Sequence, residues 1–292
     1  MRSVKTLLAA GAATLFSTFA FAADMPIAPP PMYAPPPPAD FGGWYLRGDI
    51  GFSNQSVKSV RKSDPTAYSQ VDSLSQTTNF DTAGIFDIGV GYRFNSWFRM
   101  DVTGQYRGSS NFKGTDLFHA YQYGFPYNGI DNYSASKSEF VVLANAYVDL
   151  GTWWCVTPFI GAGVGAARIN INNMTDTGST NIYVNPNVFP YVANSGTYPS
   201  YATAANGSKW NFAWAAHAGL AYHVTPNVTL ELAYSYVDLG SGVTGSISSY
   251  TGYNAGNVFK FNDITSHDVK LGVRWDLDTP PPPPTMPLIR KG

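Results

Sequence analysis

The chain has 292 residues, a formal net charge of −1 and a single cysteine, Cys155, which argues against nucleic acid or any other polyanion as a partner and excludes an internal disulfide framework. Hydrophobic residues make up 44 % and aromatic residues 15 %, with 18 Phe, 19 Tyr and 7 Trp. Past the N-terminus the longest apolar run, Phe140-Val141-Val142-Leu143-Ala144, breaks at Asn145, well short of the roughly 20 apolar residues of a membrane-spanning helix.

Residues 1–22 read as a secretory signal. Arg2 and Lys5 supply the positive end, Thr6 to Phe19 the apolar stretch, and Ala20-Phe21-Ala22 the small-residue cleavage pattern. Its removal leaves 16 basic against 19 acidic residues. Residues 23–42 are proline-rich (Pro29 to Pro31, Pro35 to Pro38) and predict an extended polyproline spacer ahead of the folded part.

Eight segments then alternate apolar and polar side chains, the period of a strand with one oily face. The first, Trp44 to Phe52, puts Trp44, Leu46, Ile50 and Phe52 on one face and Arg47 and Asp49 on the other. The second, Ala83 to Phe94, and the third, starting at Phe98, have only Asn95-Ser96 between them and predict a tight hairpin. The fourth runs from Ser138 to Leu150, and the fifth from Val156 to Ile169, with Gly161, Gly163 and Gly165 assigned to the inner face. The sixth, Lys209 to Val224, points His217 and His223 inward; Thr225-Pro226-Asn227 turns into the seventh, which begins at Val228. The eighth, His267 to Leu277, alternates Val269, Leu271, Val273 and Trp275 with Asp268, Lys270 and Arg274. A proline run, Pro280 to Pro284, and the basic tip Arg290-Lys291 close the tail, residues 278–292.

Polar stretches at about 53–82, 108–137, 170–208 and 238–265 predict four long loops, and the gaps between them are short turns. Alternating long and short connections between strands of about 9–11 residues describe a transmembrane barrel with short periplasmic turns and long extracellular loops. Aromatics fall at both expected interfaces: Trp44, Phe94, Phe98, Trp153, Trp154, Tyr222 and Trp275 at the turn end, and Phe52, Tyr106, Phe140, Phe212 and Tyr236 at the loop end. A soluble eight-stranded barrel with an oily interior shares the period but explains neither these girdles nor the export signal. The expected fold is therefore all-β: an eight-stranded antiparallel up-and-down transmembrane β-barrel over residues 43–277. In that fold Arg47, Asp49, Asp87, Arg93, Arg99, Asp101, Glu231, Lys270 and Arg274 pair across a lumen narrow enough for side chains to plug it.

Four stretches carry a family resemblance: Gly43-Trp44-Tyr45-Leu46-Arg47-Gly48-Asp49-Ile50-Gly51, Tyr147-Val148-Asp149-Leu150-Gly151, Pro158 to Gly165, and Leu271-Gly272-Val273-Arg274-Trp275. With them the chain resembles the small eight-stranded outer-membrane barrels of alphaproteobacteria, the OmpA-like and OmpX-like "porin family". The last strand also resembles the C-terminal signature of outer-membrane proteins, with Leu277 in the place of the final aromatic. The resemblance implies a Gram-negative cell-envelope protein of the outer membrane, handled by the barrel-assembly machinery and surrounded by lipid and lipopolysaccharide. It also implies loops that in some relatives bind hemin or host surface molecules. The tails are candidates for contact with peptidoglycan.

No catalytic, cofactor-binding or metal-ligating set emerges. Ser266 and His267 are adjacent and so point to opposite faces. His217 and His223 share a face but lie about 20 Å apart at strand rise. His119 stands alone in a loop, and the four loops together carry the tyrosines Tyr121, Tyr123, Tyr127, Tyr133, Tyr183, Tyr191, Tyr198, Tyr201, Tyr250 and Tyr253. Tyr and His can ligate haem iron, but no paired-ligand spacing appears. The expected function is structural and interactive rather than enzymatic, with a hemin or host-ligand receptor and a low-conductance channel as alternatives.

Overall fold

Because each predicted strand has one apolar and one charged face, the chain must sort those faces between two environments, and it does so by closing a ring. The computed structural model describes residues 42–122, 125–182, 196–250 and 256–278. The leader, the proline-rich spacer up to residue 41, the tail from residue 279, and Tyr123, Tyr183, Tyr191 and Tyr253 lie outside the described residues. The strands are β1 (Gly43–Lys62), β2 (Val71–Phe80), β3 (Ala83–Arg93), β4 (Phe98–Gln122), β5 (Phe125–Asp149), β6 (Val156–Ile182), β7 (Gly196–Ala204), β8 (Gly207–His223), β9 (Val228–Val243), β10 (Ile247–Ser249) and β11 (Phe259–Asp276). Eight of them, β1, β3, β4, β5, β6, β8, β9 and β11, form a closed antiparallel ring, sealed where β1 pairs with β11 (Leu46 opposite Trp275, Ile50 opposite Leu271). The other three, β2, β7 and β10, add to the loop end: β2 on β4, β7 on β6 and β10 on β7.

Across the membrane band the faces sort as the alternation requires. Ile50, Ile88, Val102, Leu232 and Leu271 are exposed on the outside, whereas Arg47, Asp87, Asp101, Glu231 and Lys270 are buried within. Gly161, Gly163 and Gly165 do face inward, and a side chain at Gly161 would collide with the Tyr147 ring. Trp44, Phe94, Trp153 and Trp275 form the turn-end girdle, and Phe52, Tyr106, Phe140 and Phe212 the loop-end girdle, all exposed. The apolar band between them is the surface that lipid covers.

Three sequence expectations need correction. First, the long polar stretches are not loops for most of their length: β1 continues to Lys62, β4 to Gln122, β5 begins at Phe125 and β6 runs to Ile182. Beyond the loop-end girdle the outer face meets water, so the hydropathy phase inverts. Val57, Phe112, Ile169 and Ile171 point in, while Asn54, Lys58, Asn111 and Arg168 point out. A search for one constant oily face therefore loses the strand at that level. Second, the lumen is not polar throughout. Above the charged layers an apolar plug of Val57, Val60, Phe112, Leu239, Phe259 and Phe261, among others, closes the barrel. Phe112 and Phe261 meet edge-on at 5.0 Å between centroids, and each such buried side chain contributes about 1.5–3 kcal/mol. Third, the hairpin between β3 and β4 spans 94–97 rather than two residues, held by the Asn95 side chain, which accepts from the backbone N–H groups of Trp97 (3.1 Å) and Phe98 (2.7 Å).

Candidate functional site at the loop end

The charges inside the membrane band hold the barrel together. Glu231 faces Arg274 at 2.8 Å, Arg99 at 3.3 Å and Arg47 at 3.5 Å. Arg47 also pairs with Asp49 (2.9 Å) and Asp101 (3.0 Å), Arg99 with Asp149 (3.3 Å), and Lys270 with Asp87 (3.2 Å). Arg93 pairs with Asp276 at 3.6 Å, so every charge assigned to the lumen has an opposite partner there. Higher up, Arg107 grips Asp268 at 2.6 Å, and Lys137 donates to Gln55 and Glu139. Apart from Arg93, which is partly exposed at the turn end, these pairs are almost fully buried, so their partners fix one another's geometry. The sequence did not flag Lys137 as part of this system, because it fell in a stretch read as loop.

The histidines separate as the alternation requires. His217 is buried and bonds Ser235 (2.8 Å) and Asn145 (3.2 Å), while His223 bonds Thr229 (3.0 Å) at the turn end. Ser266 is buried against Ser53 and Asp268, and His267 points outward to the Tyr234 hydroxyl at 2.6 Å. His119 lies on the outer face of the β4 extension, 3.8 Å from Asp72, with its ring 5.2 Å from that of Tyr121. Cys155 is exposed in the turn before β6, where it and Trp154 take positive φ (67° and 49°).

The strand extensions build a concave site at the loop end. After β1 the chain makes a single 3-10 turn, Pro65–Tyr68, capped by Asp64, whose carboxylate accepts from the backbone N–H of Thr66 (2.8 Å). β2 then returns along β4. The inner faces of β2, β4, β5, β6, β7 and β10 enclose a cleft of about 560 Å³. Asp116, Asp131, Asp176 and Lys62 line it, with Tyr68, Phe118, Tyr127, Tyr133 and Tyr201 supplying rings. Lys62 Nζ lies 3.3 Å from Asp176 and 4.0 Å from Asp131. Asp116 accepts from the Tyr133 hydroxyl (3.1 Å) and from the Gln76 amide (2.7 Å). Gly178 leaves room for this arrangement: a Cβ there would press on the Ile130 carbonyl oxygen and displace the Asp131 carboxylate and the Ser200 hydroxyl.

Burial dominates the electrostatics of this cleft. It raises the Asp176 carboxyl to about 6 against the pull of Lys62, and neighbouring Asp131 adds to the rise. Burial likewise raises Asp131 and Asp116. For Lys62, burial works against the charge, but Asp176 and Asp131 outweigh it and raise the ammonium. The predicted loop tyrosines thus divide. Tyr68, which the sequence did not single out, joins Tyr127, Tyr133 and Tyr201 in the cleft, while Tyr121 and Tyr250 are exposed elsewhere. The three aspartates also escaped notice, because no spacing in the chain announces that β4, β5 and β6 bring them together.

The profile of the outer membrane protein beta-barrel domain matches residues 9–276. The chain belongs to this family. Among relatives, an uncharacterized protein of Brucella abortus is 29 % identical over 279 residues, covering 88 % of this chain and 92 % of its own length. A Rickettsia felis protein provisionally named an adhesin is 26 % identical over 281 residues, covering 95 % of this chain and 100 % of its own. The crystal structure of Neisserial surface protein A aligns with 81 % of this chain and 99 % of its own, at 16 % identity and a TM-score of 0.40. As a member of this outer-membrane barrel family, the protein resides in the outer membrane.

Proposed function

We propose that this outer-membrane barrel is a surface-interaction protein of the adhesin type, which binds a ligand through its strand-built extension and contributes to envelope integrity through its barrel. The observation that carries this reading is the continuation of the sheet past the loop-end girdle. β4, β5 and β6 extend far beyond Tyr106 and Phe140, and three added strands turn them into a hydrogen-bonded wall around a cleft. Anchoring in lipid requires none of that structure, whereas a preorganised binding surface does. The adhesin name of the Rickettsia felis relative agrees with it. The test is expression in a non-adherent Gram-negative host, followed by counting bacteria retained on epithelial monolayers. Retention should rise when the protein is present in the outer membrane as a heat-modifiable band. Unchanged retention with that band present refutes the reading.

The buried charge layers and the apolar plug favour a closed lumen over a channel. Planar bilayers containing the folded protein should therefore stay silent, and stepwise conductance would revive the channel. The pairing of His119 with Tyr121 on the outer face favours hemin as a second ligand. A Soret shift on hemin titration that is lost in His119→Ala supports it, and no shift removes it.

A further inference from the structure

The cleft is unusual in holding three carboxylates and one ammonium among rings: Asp116, Asp131 and Asp176 against Lys62. With all four charged, its lining carries a net charge of two negatives. Asp176 decides the matter. It lines the cleft, its exposure is only 6 %, and among the described residues its Oδ1 has no hydrogen-bond partner, while Lys62 approaches through Oδ2. A buried carboxylate oxygen with nothing to accept from is costly; any donor entering the cleft would satisfy it, and a cationic one most strongly.

We propose that the cleft binds the Lys or Arg side chain of an extended basic segment on a protein partner. This deepens the surface-interaction reading and rests on it. The cleft matches such a side chain along its length. Val71, Leu74 and Ile247 offer an apolar wall to the methylene stem. Phe118 and Tyr127, whose rings meet edge-on at 6.2 Å, stand where a cation gains from ring faces. Asp131 and Asp176 receive the charged head with charge-assisted hydrogen bonds. A hard metal ion fits less well. Aromatic rings are poor company for such an ion, and no metal-ligating group of three forms among the described residues. Lys62 then acts as an internal stand-in for the partner's cation, pairing with the same carboxylates when the cleft is free.

The experiment uses the full mature chain folded in lipid nanodiscs. The probe is a fluorescein-labelled peptide with a blocked N-terminus and one central lysine in a Gly-Ser background, and the control carries norleucine in place of lysine. Fluorescence anisotropy at pH 7.4 should show the lysine peptide binding at least about tenfold tighter than the norleucine peptide, the scale of one charge-assisted pair. Asp176→Asn should weaken it by a similar factor. Lys62→Met should strengthen it severalfold, because the competing internal cation is gone. Equal binding of the norleucine peptide, unchanged affinity in Asp176→Asn, or unchanged or weaker affinity in Lys62→Met each overturns the proposal. Every variant is first checked for the heat-modifiable band, and Asp131→Asn replaces Asp176→Asn if the latter does not fold, with the same expected loss. Cell retention that persists while the lysine peptide fails to bind sinks the cation site but not the surface-interaction reading. Absent retention by the parent protein sinks the latter.

Discussion

Replacing Glu231 by glutamine tests whether the lumen is held by paired charge. The carboxylate lies 2.8, 3.3 and 3.5 Å from the guanidinium groups of Arg274, Arg99 and Arg47. At an effective dielectric near 20, one such pair at about 3 Å is worth roughly 5 kcal/mol before the cost of desolvation. The three arginines are not equally dependent on it. Arg47 keeps Asp49 and Asp101, and Arg99 keeps Asp149. Among the described residues, Glu231 is the one carboxylate paired with Arg274. Glu231→Gln thus strands one buried guanidinium, and the expected loss is that of one broken buried pair, about 3–5 kcal/mol. The double variant Glu231→Gln/Arg274→Met removes the stranded charge and should recover most of that loss, since both partners of the pair are then neutral. The assay is urea unfolding in lipid vesicles, followed by tryptophan fluorescence and by the shift between folded and unfolded bands on unboiled gels. A loss below about 1 kcal/mol in the single variant, or a double variant as unstable as the sum of the singles, would refute the pairing argument.

Three further outcomes follow from the same geometry. Ile88 sits opposite Gly48, midway between Trp44 and Phe52, and is 74 % exposed on the outer face; Ile88→Lys should cost about 2–4 kcal/mol in the same unfolding assay, and a neutral result would mean that lipid does not cover this face. Gly161→Val drives a side chain into the Tyr147 ring, over which Arg99 stacks at 4.3 Å; overpacking of about 1–3 kcal/mol should appear as a smaller folded fraction on unboiled gels, and full folding would contradict the tight fit. Binding of the lysine peptide should depend on pH through Asp176, which faces Lys62 from β1, Tyr68 from the 3-10 turn, Asp116 from β4, and Asp131 and Tyr133 from β5. A cation binds the ionised carboxylate, and this carboxyl is raised to about 6, so affinity should hold at pH 7.4 and fall roughly tenfold by pH 5; affinity that is flat or rises on acidification would exclude Asp176 as the receptor.

What could be read from the chain follows one rule, that a strand in a lipid band must alternate. Between the girdles this rule located all eight ring strands and assigned the faces correctly, including Gly161, Gly163 and Gly165, because hydrocarbon on one side and a narrow lumen on the other impose opposite demands on neighbouring residues. It stopped at the outer girdle, where water replaces lipid and the selection on the outer face reverses. Val57, Phe112, Ile169 and Ile171 then became the core of an apolar plug, while Lys58, Asn111 and Arg168 turned to solvent. The acidic cleft lay beyond sequence reading for a different reason. Lys62, Asp116, Asp131 and Asp176 come from four strands, and only the register of β4 with β5 and of β5 with β6 sets Asp116 opposite Asp131 and Asp176 opposite Tyr133, two residues along β5 from Asp131. Periodicity along one strand tells which way a residue points. Which residues it meets is decided by long-range pairing, and that exists only once the ring has closed.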